Sequence, residues 1–347
     1  MAGPGGGSLA TSYDLLMFDL DGVVYVDGHA VDHAAESIAR ARAGGAHIAF
    51  ITNNASRTPE QVAAHLRELG IGADPGDVVT SSQAAARLLL QTHGAGAPIA
   101  VLGTDGLVAA LREAGLEPVE VGDPRAVAVV SGYAPDLRWR VIMQAATLIR
   151  NGLPWVVTNT DLTLPTDNGL APGHGLLVRL ISDFAEVTPQ VAGKPQRPLL
   201  DETRLRVEGE RPLMVGDRLD TDIAGGHRAG IDSLLVMTGV SSLTDLLAAA
   251  PDERPTWIGH DLTALTRPGC GASLVDQVPG EGAWSAGPWT VRITDGRLVA
   301  EGSGSGPADA DLWWASVSAA GWDHLDHTGA PADAERLTIP GQRATSG

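Results

Sequence analysis

Asp19-Leu20-Asp21-Gly22 sets two carboxylates two residues apart, where the apolar run Asp14 to Leu20 gives way to a glycine that permits a tight turn. At the end of an extended segment one carboxylate can face a crevice as nucleophile and metal ligand. The second, in the turn, can serve a leaving group as acid and base. Solvated aspartates at a plain strand exit give the same pattern, so three further groups matter. Thr52-Asn53-Asn54 follows another apolar run and offers a hydroxyl, amides and backbone donors to phosphate oxygens, although Asn and Thr favour polar turns in any case. Ala192-Gly193-Lys194-Pro195 holds a lysine in a constrained stretch before a helix, without the spaced glycine of a nucleotide P-loop. Val215-Gly216-Asp217-Arg218-Leu219-Asp220-Thr221-Asp222 gathers hard oxygens that suit magnesium. Asp217 and Asp222 can supply one direct and one outer-shell carboxylate, while Asp220 is equally a helix-start residue near the dipole.

The histidines offer less. His324 and His327 have a helical metal spacing without a third ligand, so surface positions are expected for them. No GxSxG elbow accompanies a His and an acid, and no HExxH occurs, so serine hydrolase and zinc protease readings lack their motifs.

Alternating strands and helices must position these groups. Strands are expected at 14–20, 46–52, 98–102, 126–130, 155–158, 212–215 and 233–237. Helices are expected at 32–43, after a Thr58–Gln61 capping box, and at 107–114, 137–150 and 221–229. This order predicts an α/β fold whose parallel sheet binds ligands beyond its carboxyl ends, with a second α/β unit inserted between about 82 and 186. Beyond about Arg267 the texture changes to Gly-Ser-rich joints, an Asp295-Gly296 hairpin signal and five of the eight tryptophans. A small folded appendix with flexible joints is expected there.

The chain has 347 residues, 44% of them hydrophobic, enough for a packed core in about two domains. A net charge of −18 disfavours nucleic acid and anionic membranes, so an anionic substrate would need a locally positive site. One cysteine, Cys270, excludes an internal disulfide and a thiolate zinc cluster and fits a reducing cytoplasm. Met1 to Thr11 is Gly-rich and unlike a signal peptide, and no apolar run approaches membrane-spanning length.

Taken in order, FDLDGVVY, ITNN, AGKP and GDRLDTD resemble the four signature motifs of haloacid dehalogenase-type phosphatases, spread across residues 18–222. The insertion looks like the cap of the class IIA branch, which includes p-nitrophenylphosphatase-like enzymes, nucleotide phosphatases and glycerol phosphate phosphatases. Within that branch NTDLTLPTDNGLAPGHG, TWIGHDL and the appendix look most like bacterial glycerol 3-phosphate phosphatases. APGHG departs from the more usual PGNG, placing His174 where asparagine is common.

The resemblance implies a discontinuous Rossmann-like core at 12–81 and 187–266, a cap at 82–186 and a C-terminal α+β appendix at 267–347. In such relatives the appendix is likened to part of an acetyltransferase; this chain has no acetyl-coenzyme A loop. The implied activity is Mg2+-dependent phosphomonoester hydrolysis through an aspartyl-phosphate, with glycerol 3-phosphate as the expected substrate. Nucleotide, sugar or aryl phosphates are alternatives, as are a phosphomutase and a non-catalytic phosphometabolite sensor. Asp19 would be the nucleophile and Asp21 the acid and base, with Lys194, Thr52, Asn53 and Asn54 on the phosphoryl oxygens. Asp19, the Asp21 carbonyl and Asp217 would hold magnesium, and Asp222 would orient metal-bound water. The expected setting is cytoplasmic glycerol metabolism, with a small phosphorylated metabolite as partner, neither nucleic acid nor membrane, and a homodimer compatible.

Overall fold

The computed structural model describes residues 7–166, 169–276 and 282–340. Residues 1–6 of the Gly-rich start, Asp167 and Asn168 of the cap-like segment, and 277–281 and 341–347 of the expected appendix lie outside that set. The chain forms two compact units. One comprises the chain up to Val26, Ala30–Ile48 and everything from Gly209 on; the other comprises Asp27–His29 and Ala49–Glu208.

In the first unit, parallel strands stand in the order Trp257–Gly259, Asp232–Val236, Pro212–Gly216, Leu15–Asp19. Leu15–Asp19 is buried at every position, as the continuous apolar run of a doubly covered parallel strand requires. Leu16 lies opposite Leu213 and Phe18 opposite Val215, a register that delivers Asp19 beside the residues following Gly216. The strand His47–Thr52 begins in this unit, where the His47 amide donates to the Asp14 carbonyl at 2.8 Å. Helix Ala34–Ala43 falls within the expected segment.

The expected appendix belongs to the same unit. Antiparallel strands Ser273–Asp276, Ala283–Ala286, Trp289–Thr294 and Arg297–Glu301 follow in sequence order, and Asp295 and Gly296 both take the positive φ of a tight hairpin turn, 48° and 73°. Helix Pro307–Thr328 packs on these strands. Trp289, Val291, Trp313, Trp314 and Val317 share one core with Leu235, Leu246, Leu247 and Ile258, so the tryptophan-rich elements pack into a common hydrophobic interior with the end of the parallel sheet. His324 sits on this helix and is buried at 8% exposure, against the expected surface position, because the helix is enclosed around much of its girth. His327, one turn on, is exposed as expected.

The second unit holds the pairing of Phe50–Thr52 with Val78–Thr80. It also holds a five-stranded parallel sheet ordered Gln190–Val191, Trp155–Val157, Ala128–Ser131, Pro98–Leu102, Glu117–Val119. Helices Trp139–Arg150 and His174–Ala185 cover that sheet through Ala146, Ile149, Val178 and Ile181, which meet Leu102, Val129, Trp155 and Val157 in its core. Helix Pro59–Glu68 starts with the expected capping box: the Gln61 amide donates to Thr58 Oγ1 and the Thr58 amide to Gln61 Oε1. The sequence reading did not include the hairpin Thr163–Thr166/Gly169–Pro172. Among the described residues, no helix is long and apolar enough to cross a membrane.

Candidate active site

Two adjacent strands of the first unit end in carboxylates. Asp19 closes Leu15–Asp19 at 9% exposure, and Asp217 follows Pro212–Gly216 fully buried. After Asp217 the chain makes one wide turn, with the Ile223 amide donating five residues back to the Arg218 carbonyl, before helix Ala224–Ala229. That turn swings Asp222 back toward the strand end, where its Oδ2 accepts from the amides of Asp217 (3.2 Å) and Arg218 (3.1 Å). One carboxylate oxygen each from Asp19, Asp217 and Asp222 then lies within 4.8 Å of the others. Asp220 is elsewhere, exposed and paired with Arg218.

Glycines make room for this cluster. A Cβ on Gly22 would stand 2.3 Å from Asp217 Oδ2, one on Gly239 2.0 Å from the same oxygen, and one on Gly216 2.2 Å from Asp222 Cβ. Val240 donates its amide to Asp217 Oδ2 at 2.7 Å, and the Thr238 hydroxyl donates to the Gly22 carbonyl at 2.7 Å, tying the segment after Val236 to both motifs. Sequence reading missed Thr238, Gly239 and Val240; only their position just past a parallel strand could have flagged them. Asp21 stands in the turn, exposed, where the Gly22 amide donates to the Tyr25 carbonyl.

Three carboxylates this close and this buried repel one another strongly unless a cation joins them. Hard oxygen donors within reach of a common centre fit magnesium, with the glycine cradle leaving the oxygens room. The donor set therefore matches the ion that the sequence motifs imply.

In the second unit the expected phosphate-binding residues converge on one another. Lys194 is buried at 2% exposure. The Asn53 side chain spans its backbone: Oδ1 accepts from the Lys194 amide at 2.8 Å and Nδ2 donates to the Lys194 carbonyl at 3.0 Å. Nδ2 also donates to both oxygens of Asp161 at 3.2 Å. The Asn53 carbonyl in turn accepts from Ser81 Oγ (2.7 Å) and Asn159 Nδ2 (2.8 Å). The Asn53 side chain thus holds the lysine segment, whereas the sequence reading gave it to phosphate. Thr52 Oγ1 accepts from the Asn54 amide, and Asn54 Oδ1 from the Ser56 amide and hydroxyl, which shapes the turn around Asn53. Asn159 and Asp161 were missed as site residues, although Thr158-Asn159-Thr160-Asp161 is a polar run at a strand end like the other motifs.

The family models agree with this arrangement. A haloacid dehalogenase-like hydrolase model matches residues 16–117 and a second HAD-hydrolase-like model matches 191–265. The chain is 44% identical over 258 residues to D-glycerol 3-phosphate phosphatase of Mycobacterium tuberculosis, covering 74% of this chain and 72% of that one. It is 37% identical over 237 residues to acid sugar phosphatase of Staphylococcus aureus, covering 67% of this chain and 90% of that one. A magnesium complex of glycerol phosphate phosphatase from M. tuberculosis superposes with a TM-score of 0.82 at 37% identity, over 97% of this chain and 95% of that one. A thermostable NPPase from Geobacillus stearothermophilus superposes at 0.66 and 35% identity, over 72% of this chain and 96% of that one. The chain belongs to the haloacid dehalogenase-like hydrolases, in the branch that holds these phosphatases.

Proposed function

We propose that this chain is a magnesium-dependent phosphomonoesterase that works through an aspartyl-phosphate on Asp19 and acts on glycerol 3-phosphate. The buried cluster of Asp19, Asp217 and Asp222 carries the reading, because three hard carboxylates gathered beyond two neighbouring strand ends suit phosphoryl chemistry. The substrate rests on likeness to the M. tuberculosis enzyme, whose solved structure matches 97% of this chain, where the NPPase matches 72%.

Asp19 attacks phosphorus as the bond to the alcohol oxygen breaks, and Asp21 gives that oxygen its proton. Asp21 then takes a proton from water, which attacks the acyl phosphate and returns Asp19 as a carboxylate. Lys194 offsets charge on the phosphoryl oxygens, and Asn53 holds the Lys194 backbone in place. Thr52 and Asn54 contribute through the turn they shape around Asn53. Magnesium, when bound by Asp19, the Asp21 carbonyl and Asp217, reduces repulsion between an anionic nucleophile and an anionic phosphate, with Asp222 in support. Residues 82–186 act as the cap that selects the leaving group, and 267–347 as the appendix.

A cytoplasmic location is supported by the single cysteine, and small metabolites rather than nucleic acid or membrane by the charge of −18. A homodimer is proposed on the exposed Trp139, Met143, Leu180 and Phe184, and sedimentation reads it.

Phosphate release from glycerol 3-phosphate, nucleotides, sugar phosphates and p-nitrophenyl phosphate, with magnesium and with chelator, tests the reading. Magnesium-dependent release with preference for glycerol 3-phosphate, absent in Asp19→Asn, is expected. Preference for another substrate overturns the substrate alone; turnover by Asp19→Asn overturns the mechanism.

A further inference from the structure

Asp21 is exposed, so its place comes from the turn in which it stands. That turn is bonded to itself: the Val24 amide donates to the Leu20 carbonyl at 2.9 Å and the Gly22 amide to the Tyr25 carbonyl at 2.9 Å. Gly22, next to Asp21, takes a left-handed φ of 85°. Its carbonyl accepts from the Thr238 hydroxyl at 2.7 Å, a bond that comes from beyond the strand Asp232–Val236, two places away in the sheet.

Thr238 is itself held fast. Before it, the Met237 amide donates to the Gly259 carbonyl at 3.1 Å; after it, the Ser241 amide donates to the Asp217 carbonyl at 3.1 Å. The Ser241 hydroxyl also accepts from the Leu219 amide at 3.1 Å. A β-branched side chain on a backbone anchored at both ends has little rotameric freedom, so its hydroxyl is a fixed point against which the Asp21 turn is set. Proton transfer to a departing oxygen requires hydrogen-bond reach, and an error of about an ångström in the turn falls directly on the general acid.

We propose that Thr238 is the positioning residue for Asp21: by holding the Gly22 carbonyl, its hydroxyl keeps the Asp21 carboxyl where it can protonate the leaving oxygen. The inference rests on the phosphatase reading and deepens it. As Asp19 bonds to phosphorus and the bond to the alcohol oxygen breaks, the Asp21 proton passes to that oxygen, and no free alkoxide forms. A p-nitrophenolate needs no such proton, because its ring carries the charge, so it leaves even when the acid is misplaced.

The two leaving groups therefore separate placement of the acid from any other effect of Thr238. In Thr238→Val, which keeps the shape and loses the hydroxyl, the ratio of kcat/KM values, glycerol 3-phosphate over p-nitrophenyl phosphate, should fall about tenfold or more. Thr238→Ser, which keeps the hydroxyl, should recover most of that ratio. If another alkyl phosphate proves to be the preferred substrate, it takes the place of glycerol 3-phosphate in the ratio. A ratio within twofold of wild type in Thr238→Val, with turnover of both substrates retained, overturns the assignment and leaves the phosphatase reading standing. Equal losses on both substrates, with magnesium binding weakened in calorimetric titration, overturn it too, because Thr238 would then serve the carboxylate cluster through Val240 and Asp217. Should Thr238→Val fail to fold, a lowered ratio in Thr238→Ala with Thr238→Ser restored supports the assignment, and an unchanged ratio overturns it. If wild type releases phosphate from no substrate, the phosphatase reading fails and the assignment falls with it.

Discussion

The side-chain amide of Asn53 closes a two-point clasp on the backbone of Lys194, accepting from its N–H at 2.8 Å and donating to its carbonyl at 3.0 Å. A lysine buried to 2% exposure is useful only if its ammonium is held on target, and this clasp fixes where the side chain starts. Asn53→Ala removes both bonds and leaves the Lys194 amide and carbonyl buried. Stability should fall by about 2 kcal/mol, and kcat for phosphate release by about tenfold or more. An unchanged kcat in a folded variant would separate Lys194 from Asn53.

Gly239 supplies a narrower probe of the carboxylate cluster, because its backbone is not left-handed and its main constraint is space. A methyl group 2.0 Å from Asp217 Oδ2 must displace that carboxylate. Gly239→Ala should weaken magnesium binding about tenfold to a hundredfold, read by calorimetric titration of the protein with the ion. Wild-type affinity would mean that Asp217 is not a ligand.

Acid stability should carry the signature of His174. Its folded pKa, about 4, lies below the ordinary histidine value of 6.5, so the unfolded chain takes up the proton first. Its contribution is complete above pH 6.5 and is lost as pH falls from there through the folded pKa near 4, by as much as about 3 kcal/mol. His174→Asn lacks this loss, so the melting-temperature difference between wild type and variant should shift toward the variant across that range. Parallel curves would contradict the buried neutral ring.

Much of the site is legible in the chain because its motifs lie at the ends of apolar runs: Asp19 after Leu15–Phe18 and Asp217 after Pro212–Gly216. Strand Pro98–Leu102 and the turn at Asp295-Gly296 were legible for similar local reasons. What Asn53 does with its amide is not local: Lys194 is 141 residues away and Asp161 is 108, distances that spacing cannot bridge. Helix Pro307–Thr328 escaped because Trp313, Trp314, Ala315 and Val317 are all buried, which erases the one-sided apolar stripe that marks a surface helix. The same enclosure hides His324.

Trp313 tests that enclosure. It is 1% exposed in the core shared with Leu246 and Leu247, and Trp313→Ala should cost about 3–5 kcal/mol. Urea unfolding should show a lowered midpoint at constant slope. A loss below about 1 kcal/mol would mean that the C-terminal elements are dispensable to the catalytic unit.

The pairing of Leu15–Asp19 with Pro212–Gly216 sets an order on biosynthesis. The strand that carries the nucleophile leaves the ribosome long before Pro212–Gly216 is translated, and Trp313 and Trp314 emerge later still. Every strand of the Pro98–Val191 sheet is available in the interval, so the nascent chain can complete its intervening unit while the nucleophile strand still lacks Pro212–Gly216. A polypeptide stalled before the tryptophan-bearing helix would carry all four signature motifs and still expose Leu246 and Leu247, making it a substrate for chaperones rather than an enzyme.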